Sequence, residues 1–221
     1  MLRRLLFSVV PVLCVIGCDD ESMPEGATML AIGDSYYDFG EKDVSPPNQA
    51  ADILGEIVWN KAIGGTRMLG GPDAIPGQYE SGMWDWVMIS GGGNDVGPVC
   101  EDNNESAQVI DEILSEDGTS GVMVDLVDQI IADGGRVVIT GYGQLLPDRG
   151  DFLGCEDELE VLEARGAALT ANNPDVLFVP LSDDINPSEP GLFAEDGVHL
   201  SEAGSAVAGQ LIAQAITDAG Q

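Results

Sequence analysis

Met29-Leu-Ala-Ile-Gly-Asp-Ser35 is a short apolar run cut off by glycine. With no polar alternation it reads as a strand buried on both faces, the kind found in parallel sheets. The Gly-Asp-Ser that ends it sets a serine just beyond the strand's carboxyl end, where open α/β sheets collect their ligands. Alone, a serine in such a turn is as readily a loop-capping residue as a chemical one. The rest of the chain has to separate the two.

Working outward, four more segments carry strand character, at 57–59, 84–90, 137–140 and 176–179. Helical signals fall between them. Ser45-Pro-Pro47 offers a cap with proline at the first helical positions, so 48–55 is expected to be helical. Apolar spacing of three and four residues predicts helices at 103–116 (Val109, Ile113) and 120–133 (Val124, Val127, Ile131). A further helix is expected at 155–170, and a last one, capped by Ser201, runs to about residue 218 with Val207, Leu211 and Ala215 inward. The Gly- and Pro-rich stretch 66–83 reads as a long loop with at most a short helix near Pro76. Strands alternating with helices require right-handed crossovers, and hence a mostly parallel sheet of five strands in a three-layer α/β/α sandwich.

The 221 residues suffice for one domain with a full core. Eight basic residues against 39 acidic ones leave a formal charge of −31. Such a surface repels polyanions, which argues against nucleic acid and against direct adsorption on anionic membranes. The acids are dispersed and 44% of residues are hydrophobic, so disorder does not explain them. A saline habitat and plain solubility explain the charge equally well. Glu101-Asp-Asn-Asn-Glu105 lacks the spaced ligands of a calcium loop and reads as a solvated face.

Arg3 and Arg4 followed by the apolar stretch 5–16 have the form of a secretory leader, too short to span a bilayer. Val15-Ile-Gly-Cys18 resembles the bacterial lipoprotein signal, in which cleavage precedes a cysteine that then takes the lipid. Residues 1–17 are thus expected to be removed, Cys18 to be lipidated, 18–27 to act as a polar tether and 28–221 to form the domain. A leader cut nearby or left as an anchor is the alternative. An exported, membrane-tethered envelope protein, monomeric and touching the membrane only through its lipid, is the expectation. Cys100 and Cys155 then remain as a pair in polar loops, and an oxidising compartment favours a disulfide between them over two free thiols. With a single histidine in the chain, no zinc site is expected.

A nucleophilic serine needs a base and a group to orient that base. The one histidine, His199, lies in Asp196-Gly-Val-His-Leu-Ser201, with Asp196 three residues before it and able to turn back to the ring. A tetrahedral intermediate also needs donors aimed at its oxyanion. The turn after the second strand provides the N–H of Gly65, and Gly-Gly-Gly93 lets Asn94 present its side-chain amide. Singly, Gly64-Gly65 is a plain turn and Asn94-Asp95 a helix start. All four motifs follow successive elements and would meet at one sheet edge.

Together, Gly33-Asp34-Ser35, the turn from Asn60 to Gly65, Gly92-Gly93-Asn94-Asp95 and Asp196-Gly-Val-His199 resemble the four blocks of the SGNH (GDSL-type) hydrolases. The resemblance spans residues 29 to about 205. It implies a flavodoxin-like sheet of order 2-1-3-4-5 and a Ser35–His199–Asp196 triad. It also implies an oxyanion hole made by the N–H groups of Ser35 and Gly65 and the Asn94 amide, with no metal or organic cofactor. Gly65 rather than Gly64 is chosen by its distance from Asn60. Tyr36-Tyr37-Asp38 departs from the small or aliphatic residues usual after the serine and implies a bulkier pocket floor. The expected activity is ester hydrolysis on acylated glycans, small esters or lipids; the alternative is a silent envelope protein using the cleft to bind a glycan or a partner. Tyr36, Tyr37, Tyr79, Trp84 and Tyr142 are expected at or beside the rim, and Trp59 and Trp86 in the core.

Overall fold

Strand β1, Met29–Ile32, has no solvent-exposed surface, and its alternate residues feed two separate cores. The structure, a computed structural model, describes residues 22–71, 73–146 and 152–220. The expected leader and Cys18 lie outside the described residues.

Five parallel strands run in the order β2-β1-β3-β4-β5: β2 is Val58–Asn60, β3 Trp86–Ile89, β4 Arg136–Thr140 and β5 Val176–Val179. This is the expected flavodoxin-like order. The period of two along each strand sorts the sheet's faces. Leu30, Ile32, Val87, Ile89, Val137 and Ile139 face the core shared with helices α4 (Asn103–Ile113), α5 (Val122–Ala132) and α6 (Glu156–Asn172). Met29, Ala31, Trp86, Met88 and Val138 face the other, built with α2 (Pro46–Leu54) and α7 (Glu202–Ala219). The result is the expected three-layer sandwich.

Two short helices at the carboxyl edge of the sheet, α1 (Ser35–Asp38) and α3 (Gly93–Val96), stand where a polar loop and a glycine turn were expected. Asp34 explains the first: its carboxylate accepts the Tyr36 N–H at 2.9 Å and caps the turn. Ser45, by contrast, makes no cap bond; its hydroxyl meets Asn48 and Asn60 instead. Near Pro76 the expected short helix is a 3-10 turn, Ile75–Gln78.

The inner face of α7 is shifted by one residue from the expected Val207–Leu211–Ala215 stripe, which is only partly buried. Ala208, Ile212, Ala213 and Ile216 are the residues turned fully inward. The small ones decide this. A Cβ on Gly209 would stand 2.4 Å from Gln49 Cβ and 3.0 Å from the Pro46 carbonyl, so α2 packs on α7 only because that position is bare. Cys100 and Cys155 form the expected disulfide, with Cα atoms 5.1 Å apart, tying the segment after α3 to the start of α6.

Candidate active site

Ser35 opens α1 directly after β1, and the turn that holds it is fastened from three sides. Gln78 clamps Gly33, accepting its N–H at 2.7 Å and donating to its carbonyl at 2.9 Å. Buried Asp34 accepts the Ser90 hydroxyl on one oxygen at 2.9 Å and the Tyr142 hydroxyl on the other at 2.6 Å. Tyr142 in turn accepts the Gly93 N–H at 3.0 Å, so one phenol spans the serine turn and the α3 turn. Burial, followed by the Asp34 charge, pushes that phenol well above its ordinary pKa and keeps it a proton donor.

His199 arrives on the loop before α7. Asp196 accepts the backbone N–H groups of Val198 and His199 on one oxygen, both at 2.9 Å, and presents the other to His199 Nδ1 at 2.8 Å. Burial works against the Asp196 charge, but these hydrogen bonds outweigh it and hold the carboxyl below its ordinary range. The opposite ring nitrogen, Nε2, lies 2.8 Å from Ser35 Oγ. Three residues separated by up to 164 positions are thereby joined in one line of hydrogen bonds.

The Gly64–Gly65 turn lies against the serine: a Cβ on Gly64 would stand 3.6 Å from Ser35 Cβ. Gly64 spends its N–H on Asp38 Oδ2 at 2.8 Å, whereas those of Gly65 and Ser35 have no acceptor among the described residues. Gly65 has φ +77°, a conformation that orients the turn and suits glycine. Asn94 donates one amide hydrogen to the Thr66 carbonyl at 2.9 Å and lines the cleft beside Ser35, with its second hydrogen uncommitted among the described residues. Asp95 accepts the N–H groups of Met68 and Leu69, fixing the loop beyond.

Several expected rim aromatics lie elsewhere. Tyr37 is fully buried, its hydroxyl oxygen accepting from the Thr140 hydroxyl at 3.1 Å, which makes it part of the core. Tyr79 bonds Asp133 just past α5, and Trp84 is buried just before β3, both at the sheet's amino-terminal edge. Tyr36 and Tyr142 do line the cleft, ring edge to face with centroids 5.0 Å apart. Trp86 is core as expected, while Trp59 is only partly covered, beneath the Lys61 ammonium.

Phe39 was not singled out by its sequence, yet its ring lies parallel to the His199 imidazole, with centroids 4.0 Å apart and planes 1° from coincident. It is four residues past Ser35, and its N–H closes the helical turn on the Ser35 carbonyl at 2.8 Å. Recognising Asp34 as a cap would have revealed the turn and, with it, Asp38 and Phe39 as neighbours of the serine. Gln78 carries no such local signal, because its contacts reach 45 residues back.

The sequence model of the GDSL-like lipase/acylhydrolase family matches residues 31–207. The chain belongs to that family. It is, in class, an ester hydrolase. Solved structures agree on the fold of this GDSL hydrolase. A protein assigned as an SGNH hydrolase from Slackia heliotrinireducens is 20% identical, with TM-score 0.59 over 86% of this chain and 99% of its own. One assigned as an arylesterase from Agrobacterium tumefaciens is 19% identical, with TM-score 0.62 over 87% and 99%. A carbohydrate esterase family 2 enzyme with a carbohydrate-binding domain, from Corynascus thermopiles, is 18% identical, with TM-score 0.60 over 89% and 67%. None of the curated proteins matches the sequence.

Proposed function

We propose that this GDSL hydrolase cleaves carboxylic esters through an acyl-enzyme on Ser35. The observation that carries the reading is His199 held between Asp196 and Ser35, 2.8 Å from each. Ser35 Oγ attacks the carbonyl carbon while its proton passes to Nε2. The bond to the alcohol oxygen then breaks as His199 returns that proton to the departing alcohol. Water, deprotonated by the same nitrogen, attacks the acyl-serine and releases the acid. Asp196 holds the ring's tautomer and stabilises the transient imidazolium. Ser35 N–H, Gly65 N–H and the Asn94 amide take the oxyanion, each donor being worth about 3–4 kcal/mol in comparable sites.

Acyl groups on glycans, small esters and lipids are the substrate types considered, with neutral ones favoured by the −31 formal charge. The decisive assay is hydrolysis of p-nitrophenyl acetate. The wild type turns over, and Ser35→Ala loses at least about 10³-fold in kcat/KM. A folded wild type without turnover on any simple ester would leave the alternative, a silent binding protein. The leader and Cys18 support an enzyme tethered in the bacterial envelope, at the periplasm or the cell surface. The full chain then pellets with membranes and Cys18→Ser does not; equal partitioning would refute the tether.

A further inference from the structure

The cleft that opens on Ser35 is bounded differently on its two sides, and the difference bears on which half of the ester enters it. Resting on the acyl-enzyme reading above, we propose that this cleft is the acyl site and admits only short acyl chains, from acetyl to about butyryl.

The alcohol must depart and water must approach the acyl carbon while the acyl group stays in place. The leaving group therefore belongs on the solvent side of Ser35, where Phe39 and Ile63 are 43% and 55% exposed. The acyl chain belongs in the covered cleft, whose walls beyond Ser35 and His199 are Tyr142, Leu145, Phe152, Leu159 and Val198. The enclosed part of the cleft holds only about 30 Å³. Ligand pockets start at about 300 Å³, so this one is small.

Its far wall fixes the chain length. Tyr142, Leu145 and Leu159 also bound a second cavity, and that cavity carries Glu156, Glu160, Glu163 and the Ser182 hydroxyl. An acyl chain long enough to pass the Leu145–Leu159 partition would put methylenes against carboxylates, which lose hydration without gaining a partner. Phe152 closes another side. It packs over Gly97, where a Cβ would stand 2.6 Å from the ring, and Gly97 and Phe152 each lie three residues before a cysteine of the Cys100–Cys155 disulfide. That wall is therefore covalently latched and has little room to retreat before a longer chain.

A p-nitrophenyl ester series from acetate to decanoate tests this on the disulfide-intact protein. Wild type is expected to peak at two to four carbons and to fall at least about tenfold by octanoate, a methylene in a fitted pocket counting for roughly 10-fold or more. Phe152→Ala and Leu159→Ala should shift the optimum to longer chains, and Cys100→Ser/Cys155→Ser should broaden the range. Phe152→Leu serves as a milder opening should either alanine variant fail to fold. Wild-type preference for octanoate or longer would overturn the proposal. So would wall variants that change selectivity among alcohols in an acetate series while leaving acyl preference fixed. Absence of turnover on every ester instead defeats the acyl-enzyme reading, which separates the two failures.

Discussion

At the scale of single residues, the arrangement around His199 sets what the imidazole can do. Two hydrogen bonds fix the ring's in-plane orientation, and Phe39 covers one of its faces. In the proposed mechanism a stacked aromatic favours the imidazolium that would form as Ser35 gives up its proton, by about 0.5–2 kcal/mol in comparable cation–π contacts. Phe39→Ala is accordingly expected to lower kcat about three- to tenfold with KM within about twofold, and Phe39→Tyr to restore it where Phe39→Leu does not. Steady-state kinetics on one short ester decide this. Equal rescue by leucine would reduce Phe39 to a packing role. Asp196 keeps its hold on the ring well into acid. Because its folded pKa lies below the ordinary carboxylate value, it stays ionised as pH falls, and both its stabilising bonds and its hold on the ring are lost only below that ordinary range. The contribution of Asp196 to kcat/KM, read as the ratio of wild type to Asp196→Asn, should therefore stay constant down to the ordinary carboxylate range and shrink only below it. A ratio that shrinks already above that range would mean that the carboxyl is not held below its ordinary value.

At the scale of elements, close packing of helices on the sheet brings these residues together. Helix α7 follows directly from the His199 loop and lies on α2, which follows from the Ser35 turn. Their contact at Gly209 therefore bears on the distance between His199 and Ser35. Gly209→Val forces a side chain into the Gln49 and Pro46 backbone region and should cost about 1–3 kcal/mol, read by urea denaturation. Activity at low temperature should fall with it. An unchanged midpoint would show that α2 can yield. The sequence made the sheet legible because each strand is built on a short apolar run ended by glycine, proline or a polar residue. It made the triad legible because His199 is the chain's one histidine and Asp196 stands at a fixed offset from it. The fastening of the site was not legible. Asp34–Tyr142 spans 108 residues and Gln78–Gly33 spans 45, contacts that arise only once the crossovers have been made. The α7 stripe was misread by one position for a similar reason: hydrophobic size pointed to Val207 and Leu211, whereas close approach to α2 favoured alanine and glycine.

At the scale of the whole molecule, a formal charge of −31 surrounds a small, mostly apolar cleft. Anionic substrates approach such a surface against its field, and salt screens that field over about 10 Å at 0.1 M. Neutral acylated sugars or alkyl esters should thus be hydrolysed with higher kcat/KM than phosphorylated or sulfated esters of the same acyl group, the gap narrowing as salt is added. Faster turnover of the charged esters at low salt would contradict the charge argument. In the proposed mechanism the gathering of Ser35, His199 and Asp196 makes that one serine nucleophilic. Treating the folded, full-length protein with a fluorophosphonate and recording its intact mass tests that most directly. A single adduct is expected, mapped by peptide digestion to Ser35, absent from Ser35→Ala and abolished by denaturation before treatment. A folded wild type that stays unlabelled, or that carries the adduct on another serine, would contradict it.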